Sequence, residues 1–258
     1  MSSKIIESVQ KSFSQQAANF ETKRMSFSKQ EYLDYIVKSI GLTGNENVLE
    51  AAAGTCVCGR AIAPHAGKVT CLDMTPAMMA VGEKAAKEKG LENISFVQGF
   101  VEKMPFDDET FDLVITRLSF HHFSEMEKPF SEMARVLKKG GRLVIIDMEA
   151  AKEELRNIED HIEILRDFSH VKNRSKKEFM ELFEKYNIEL KKNESTPIPV
   201  GLTPWTELTH PAPEVQKEIT GLMKAELAGG EKTGFGPFLK DGEIYFKQCW
   251  LFLLGIKK

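Results

Sequence analysis

The stretch that decides the fold is VLEAAAGTCVCGRAIAP, residues 48–64. An apolar pair, Val48-Leu49, is closed by an acid, Glu50. Small residues with a single glycine, Gly54, come next, and then a helical pattern that stops near Pro64. Small side chains where a strand hands over to a helix indicate that a ligand or another backbone approaches closely.

Outward from this turn the pattern alternates. KVTCLD reads as a strand ending in Asp73. TPAMMAVGEKAAKEKG reads as a helix, with Thr75 suited to its N-cap, Pro76 to its first turn and Gly90 to its stop. NISFVQG and TFDLVITRLSF read as strands, EMEKPFSEMARVLKKGG as a helix with KKGG as its stop, and RLVIIDMEA as the strand that follows. Nearly uninterrupted apolar strands alternating with helices predict a parallel sheet covered on both faces. Upstream, KIIESVQKSFSQQAANF and SKQEYLDYIVKSIGL read as helices, the second stopping at Gly41. Downstream, amphipathic helices are expected at 151–167, 175–186 and 211–228. NIELKKNESTPIP reads as a strand, and EIYFKQCWLFLLGIKK as a long final one. The expected organisation is 1–45 as an N-terminal lid, 46–150 as the core, and 151–258 as covering helices with the closing strands.

Composition narrows the function classes. The 258 residues are 42% hydrophobic and 28% charged, as in an ordinary globular protein, and the net charge of -3 offers no bulk attraction to nucleic acid or anionic membrane. No apolar run reaches the roughly 20 residues of a membrane helix. The first residues lack a signal-peptide core, so a cytoplasmic location is expected. Cys56, Cys58, Cys71 and Cys249 fit neither a disulfide framework nor a zinc-finger spacing. The Cys56–Cys58 pair admits a soft metal or redox role, but small buried residues at a packed turn are the simpler reading, and no metal site is assigned.

Open parallel sheets bind ligands at the carboxyl ends of their strands. Here those ends carry EAAAG, CLDM, GFVEKMPF, TRLSFHH and DMEA. A dinucleotide fingerprint, G-x-G-x-x-G, is not present: Ala52-Ala53-Gly54-Thr55-Cys56-Val57 retains only its middle glycine. Asp73 still suits a ribose diol, since a carboxylate accepts from two hydroxyls. The implied ligand is a nucleoside without a pyrophosphate.

VLEAAAGTC, CLDMTPAMM, FVQGFVEKMPFDDETFDLVITRLSFHHF and RVLKKGGRLVIIDM together resemble class I S-adenosylmethionine-dependent methyltransferases, in the group that includes the ubiquinone/menaquinone biosynthesis C-methyltransferases. The resemblance covers about residues 45–150, and FSQQAANFE, residues 13–21, is similar to that group's lid helix. It implies a Rossmann-like, doubly wound, mostly parallel seven-stranded sheet with helices on both faces and the last strand antiparallel. It also implies S-adenosylmethionine as cofactor, S-adenosylhomocysteine as product and a small-molecule acceptor. Residue by residue, it implies Glu50 near the methionine amino group, Ala52 and Gly54 at the close-approach positions, Asp73 on the ribose and Met74 against adenine. Phe100-Val101 falls at the adenine edge. Phe100 cannot accept a hydrogen bond there, which leaves Glu102 and the backbone. Arg117 falls beside the methionine moiety, and Phe20 is a lid candidate as well as an ordinary core aromatic.

His121 and His122 follow the fourth strand at the crevice and are candidates for a general base or for a hydrogen-bonded wall. His170, with Arg166 and Asp167, is a candidate to close the site from the appended region. Methyl transfer from a sulfonium is an in-line displacement, so positioning dominates, and a base is needed only when the nucleophile must lose a proton. Phe168, Phe179, Phe183, Leu202 and Trp205 point to a partly apolar acceptor. The competing readings are a non-catalytic protein that binds the same cofactor and a nicotinamide-dependent oxidoreductase.

Overall fold

The computed structural model describes residues 29–258 together with Gln10, residues 12–14 and Ala17; Phe20 lies outside the described residues. Helix α1 (Gln30–Ile40) stops at Gly41, whose φ of 65° is the left-handed conformation a C-cap needs. Strand β1 (Asn47–Ala51) leads through the small-residue turn into α2 (Val57–Ile62) and a 3-10 turn at Ala63–His65. Then come β2 (Lys68–Asp73), α3 (Pro76–Glu88), β3 (Ile94–Gln98), β4 (Phe111–Arg117), α4 (Glu127–Val136) and β5 (Leu137–Met148). The C-terminal part adds α5 (Arg156–Arg166), α6 (Lys176–Lys185), β6 (Ile188–Gly201), α7 (Leu202–Glu207), α8 (Pro213–Leu227), β7 (Phe238–Lys240) and β8 (Glu243–Lys257).

The sheet order is β3-β2-β1-β4-β5-β8-β6, with β7 paired to β8. Neighbours from β3 to β5 are parallel, and β8 runs against β5, β6 and β7. The seven-strand path with its last strand reversed is therefore as expected, and β7 is a short eighth strand not foreseen.

Alternation along each strand divides the core in two. Val48, Leu113, Ile115, Val144 and Ile146 face α1, α2, α5 and α8. Leu49, Val114, Leu143 and Ile145 face α4 and α6. Both faces are covered, so the strands carry apolar runs rather than an apolar/polar alternation. The order in which strands are added reverses between β1 and β4, which places the crevice at their carboxyl ends. Among the described residues, no helix is long and apolar enough to cross a membrane.

One local expectation is corrected. KKGG is not a helix stop: α4 ends at Val136, and residues 138–141 already belong to β5, with an irregular register against β4 between Phe111 and Leu113. Thr75 is the N-cap of α3 as expected, though its side chain makes no cap bond and its own N–H donates to Asp73.

Candidate active site

The turn after β1 is held in an unusual backbone shape. Ala52, Gly54 and Cys56 all have positive φ, at 51°, 55° and 59°. Only glycine adopts that region freely, so Ala52 and Cys56 are strained positions in a small space. The Ala53 N–H donates to the Leu72 carbonyl at 3.0 Å and the Gly54 N–H to Asp73 Oδ2 at 2.7 Å. Asp73 Oδ1 accepts from the Thr75 N–H at 2.8 Å, so one carboxylate ties the turns after β1 and β2 together. Burial pushes Asp73 up, and the Gly54 and Thr75 N–H groups pull it back. Each carboxylate oxygen keeps a second lone pair.

Glu50 is buried beneath the turn, where its Oε2 accepts from the Gly59 N–H at 2.6 Å. Burial pushes its carboxyl up to about 7, against the pull of Gly59, Arg117 and Arg60. A Cβ on Gly59 would come within 2.6 Å of Cys71 Sγ and 2.8 Å of Glu50 Oε2. Gly59 is thus the glycine that lets this helix pack on the strand, two positions after the Val57 that breaks the fingerprint. The sulfurs of Cys56 and Cys71 and a Glu50 oxygen lie within 4.8 Å of one another, so Cys56 neighbours Cys71 across the turn. Burial pushes all three buried thiols up, Cys58 to about 12, which keeps them protonated.

On the far side of the crevice His121 and His122 sit on a 3-10 turn after β4. His121 Nδ1 is 2.6 Å from Asp147 Oδ1 at the end of β5. His122 Nδ1 meets the Ser169 carbonyl at 3.0 Å, and its ring packs edge-on against Phe13. Burial and the neighbouring His121 push His122 down. Asp167 is held down to about 2 although burial pushes it up, because His122, Arg166 and Ser169 favour its charge. The loop after α5 is stitched to this wall: the Val171 and Lys172 N–H groups donate to the His121 carbonyl at 2.8 and 3.1 Å. Two guanidiniums stack on tryptophans, Arg117 at 5.0 Å from Trp250 and Arg166 at 4.6 Å from Trp205.

One cleft gathers Glu50, Ala52, Gly54, Asp73, Met74, Val101, Glu102, Arg117, His121 and His122, as the sequence reading expects. Arg166 and Asp167 join them. Two expected residues do not. Phe100 is 42% exposed, bridges to Lys103 through its backbone, and is not among the residues lining the cleft it was assigned to. His170 lies behind the wall: its side chain is fully buried, its Nε2 is 3.1 Å from Asp160, and its ring stacks on His121 at 5.6 Å. Sequence reasoning missed Phe13, Met148, Val200, Leu208, Gln248 and Trp250 in the lining, and Asp147 behind it. Of these, Asp147 carries a readable signal, as the one acid closing the apolar run LVII.

A doubly wound sheet with a small-residue turn after β1 and a half-buried carboxylate at the end of β2 defines an α/β protein with a cleft at its topological switch point. Comparison with known proteins specifies the family. Residues 42–187 match the family model described as a methyltransferase domain, and the chain belongs to that family. An uncharacterized methyltransferase, YcgJ of Bacillus subtilis, is 30% identical over 208 residues, covering 80% of this chain and 82% of that protein. Its crystal structure superposes with a TM-score of 0.80 at 27% identity, over 89% of this chain and 99% of that one. A putative methyltransferase of Bacillus halodurans gives the same TM-score, 0.80, at 28% identity, over 88% and 99% of the two chains. The ubiquinone/menaquinone biosynthesis C-methyltransferase of Psychromonas ingrahamii is 32% identical over 117 residues, 44% of this chain and 47% of that enzyme. The chain is a methyltransferase.

Proposed function

We propose that the protein transfers a methyl group from S-adenosylmethionine to a small, partly apolar acceptor. The observation that carries this reading is the Asp73 carboxylate, fixed by Gly54 and Thr75 N–H groups at the mouth of the small-residue turn. The donor set fits the cofactor. Asp73 offers acceptors to a ribose diol, Met74 and Val101 offer apolar contact to a base, Glu102 offers an acceptor, and Glu50 with Arg117 complements an ammonium and a carboxylate. When bound, the cofactor supplies an electrophilic methyl on a sulfonium. The chain's own task is to hold the acceptor in line with that methyl and exclude water, and positioning can supply roughly 7–11 kcal/mol of the barrier. Leu118, Phe123, Met148, Val200, Trp205 and Trp250 give the acceptor side its apolar wall. A net charge of -3 favours a small molecule over nucleic acid as acceptor.

Thermal unfolding with S-adenosylhomocysteine tests the reading, with NAD as control. A ligand at ~100 times its dissociation constant adds about 2.7 kcal/mol, which for a chain of this size raises the midpoint by roughly 5–11 °C. The expected result is that shift with S-adenosylhomocysteine alone, and its loss in Asp73→Asn. A shift with NAD instead, or none with either, contradicts the reading.

A further inference from the structure

We propose that Asp147 positions His121 as the general base of the reaction, and that the acceptor is therefore a hydroxyl-bearing or enolisable molecule. This rests on the methyltransferase reading above. Asp147 is 1% exposed, and its carboxylate is fully engaged. Oδ2 accepts from the Ser119 and Phe120 N–H groups at 2.9 and 2.7 Å, and Oδ1 from the Met148 N–H at 2.8 Å and from His121 Nδ1 at 2.6 Å. Four donors fill about all that a carboxylate can accept. Three of them are backbone groups of the 3-10 turn and of β5 itself, so the acid cannot swing away. A carboxylate on Nδ1 fixes the proton there and leaves the lone pair on Nε2. His121 is among the residues lining the cleft, its side chain is 7% exposed, and with Nδ1 engaged Nε2 is the nitrogen it has to offer.

The surroundings favour one base over the other. Burial works against Asp147's charge, and His121 with the backbone N–H groups outweighs it and holds the carboxyl below its ordinary value. An imidazolium formed at His121 therefore meets an anion 2.6 Å away. At His122 it would meet the neutral Ser169 carbonyl and sit 4.1 Å from the His121 ring, with Asp167 as the nearby anion among the described residues. His170 stacks behind His121 on Asp160, and Arg174 feels the Asp147 charge from the loop after α5. A thioether or a free amine needs no base to accept a methyl, and a phenol or an enolisable carbon does. In the step, the acceptor's X–H pair forms the X–CH3 bond, and the S–CH3 pair of the cofactor stays on sulfur. The proton passes to His121 Nε2 and from there to solvent.

A purely structural pair would serve only to pin the turn at residues 119–122, so the test must read proton position. Side-chain nitrogen NMR of protein labelled at its six histidines, assigned with His121→Gln, reports the tautomer with no acceptor present. His121 should carry its proton on Nδ1, and Asp147→Asn should release that preference. The second arm uses methyl-labelled S-adenosylmethionine and phenols of graded acidity. Asp147→Asn should lower kcat by about 10²–10⁴-fold on phenols that are neutral at the assay pH. It should spare nitrophenols that are already ionised, and KM and S-adenosylhomocysteine affinity should not change. A proton on Nε2 in the unmutated protein, or an equal loss across the phenols, overturns the positioning role. Methylation of thiols or amines but not hydroxyls on one scaffold overturns the acceptor class. Failure of the unmutated protein to bind S-adenosylhomocysteine overturns the earlier reading instead.

Discussion

The half of the cleft under β1–β3 is drawn from three short stretches, residues 50–57, 73–78 and 99–102. The half under β4 and β8 draws on residues 117–123, Met148, Arg166-Asp167, Val200 to Leu208, and Gln248 with Trp250. In the first half, backbone groups and one or two carboxylates do the shaping, and each residue's role follows from its immediate neighbours. In the second, side chains from distant segments meet across the sheet: Arg166 on Trp205, Arg117 on Trp250, Ser169 on His122. A turn can be specified locally; a pocket wall made by packing cannot.

Substitutions can break or sharpen that contrast. The largest expected effect is in the packed half. Trp205 is 3% exposed and packs on Phe235 and Phe246 at 5.5 and 5.0 Å. Trp205→Ala should cost ~3–5 kcal/mol in urea unfolding, since a large buried aromatic leaves a cavity. The midpoint rise with S-adenosylhomocysteine should persist, and its loss would mean that the halves are not separable.

Glu50→Gln probes the local half through pH. The carboxyl of Glu50 moves from 4.5 to about 7 on folding. Below the lower value it is protonated in both states, so it contributes nothing. Between the two, the unfolded chain releases the proton and the folded chain keeps it, so stability falls as pH rises, and above about 7 the cost is complete. Removing the charge should therefore stabilise the ligand-free protein at pH 8 by about 3 kcal/mol, with no gain at pH 4. It should also weaken S-adenosylhomocysteine binding at pH 8. A pH-independent effect on stability would show that Glu50 ionises normally.

Gly59→Ala should cost about 1–3 kcal/mol through overpacking against Cys71 and Glu50, and should blunt the ligand response. The smallest effect is expected at Ala52, whose φ is 51°. Relief of a left-handed residue is worth roughly 1–2 kcal/mol, and the freer unfolded chain returns about 0.4–1 of it. Ala52→Gly should then stabilise slightly, by about half a kcal/mol; a destabilised variant would mean that the Ala52 methyl packs usefully.

These contrasts parallel what the sequence made legible. Strand and helix order and the small-residue turn at Gly54 follow from periodicity and turn chemistry, which act over a few residues, whereas the reversed β8 was implied by the family resemblance. Gly59 escaped because the fingerprint looks for a glycine at position 57, while the close approach falls one half-turn later in α2. Phe100 was placed at the adenine edge by the family resemblance, and it is 42% exposed and outside the cleft lining. His170 was read as a site residue because it follows Arg166 and Asp167, and the turn that carries it sends those two inward and the histidine behind the wall. Asp147 was visible as an acid closing an apolar strand, but its partner lies 26 positions upstream, and only the β4–β5 pairing brings them together.

The most direct test of the two-part cleft is calorimetric titration of S-adenosylhomocysteine into Asp73→Asn and Asp147→Asn side by side. The structure predicts that the first loses binding and the second binds as the unmutated protein does, with its defect confined to transfer. Retained binding in Asp73→Asn, or loss of it in Asp147→Asn, would contradict the assignment of cofactor and acceptor to the two halves.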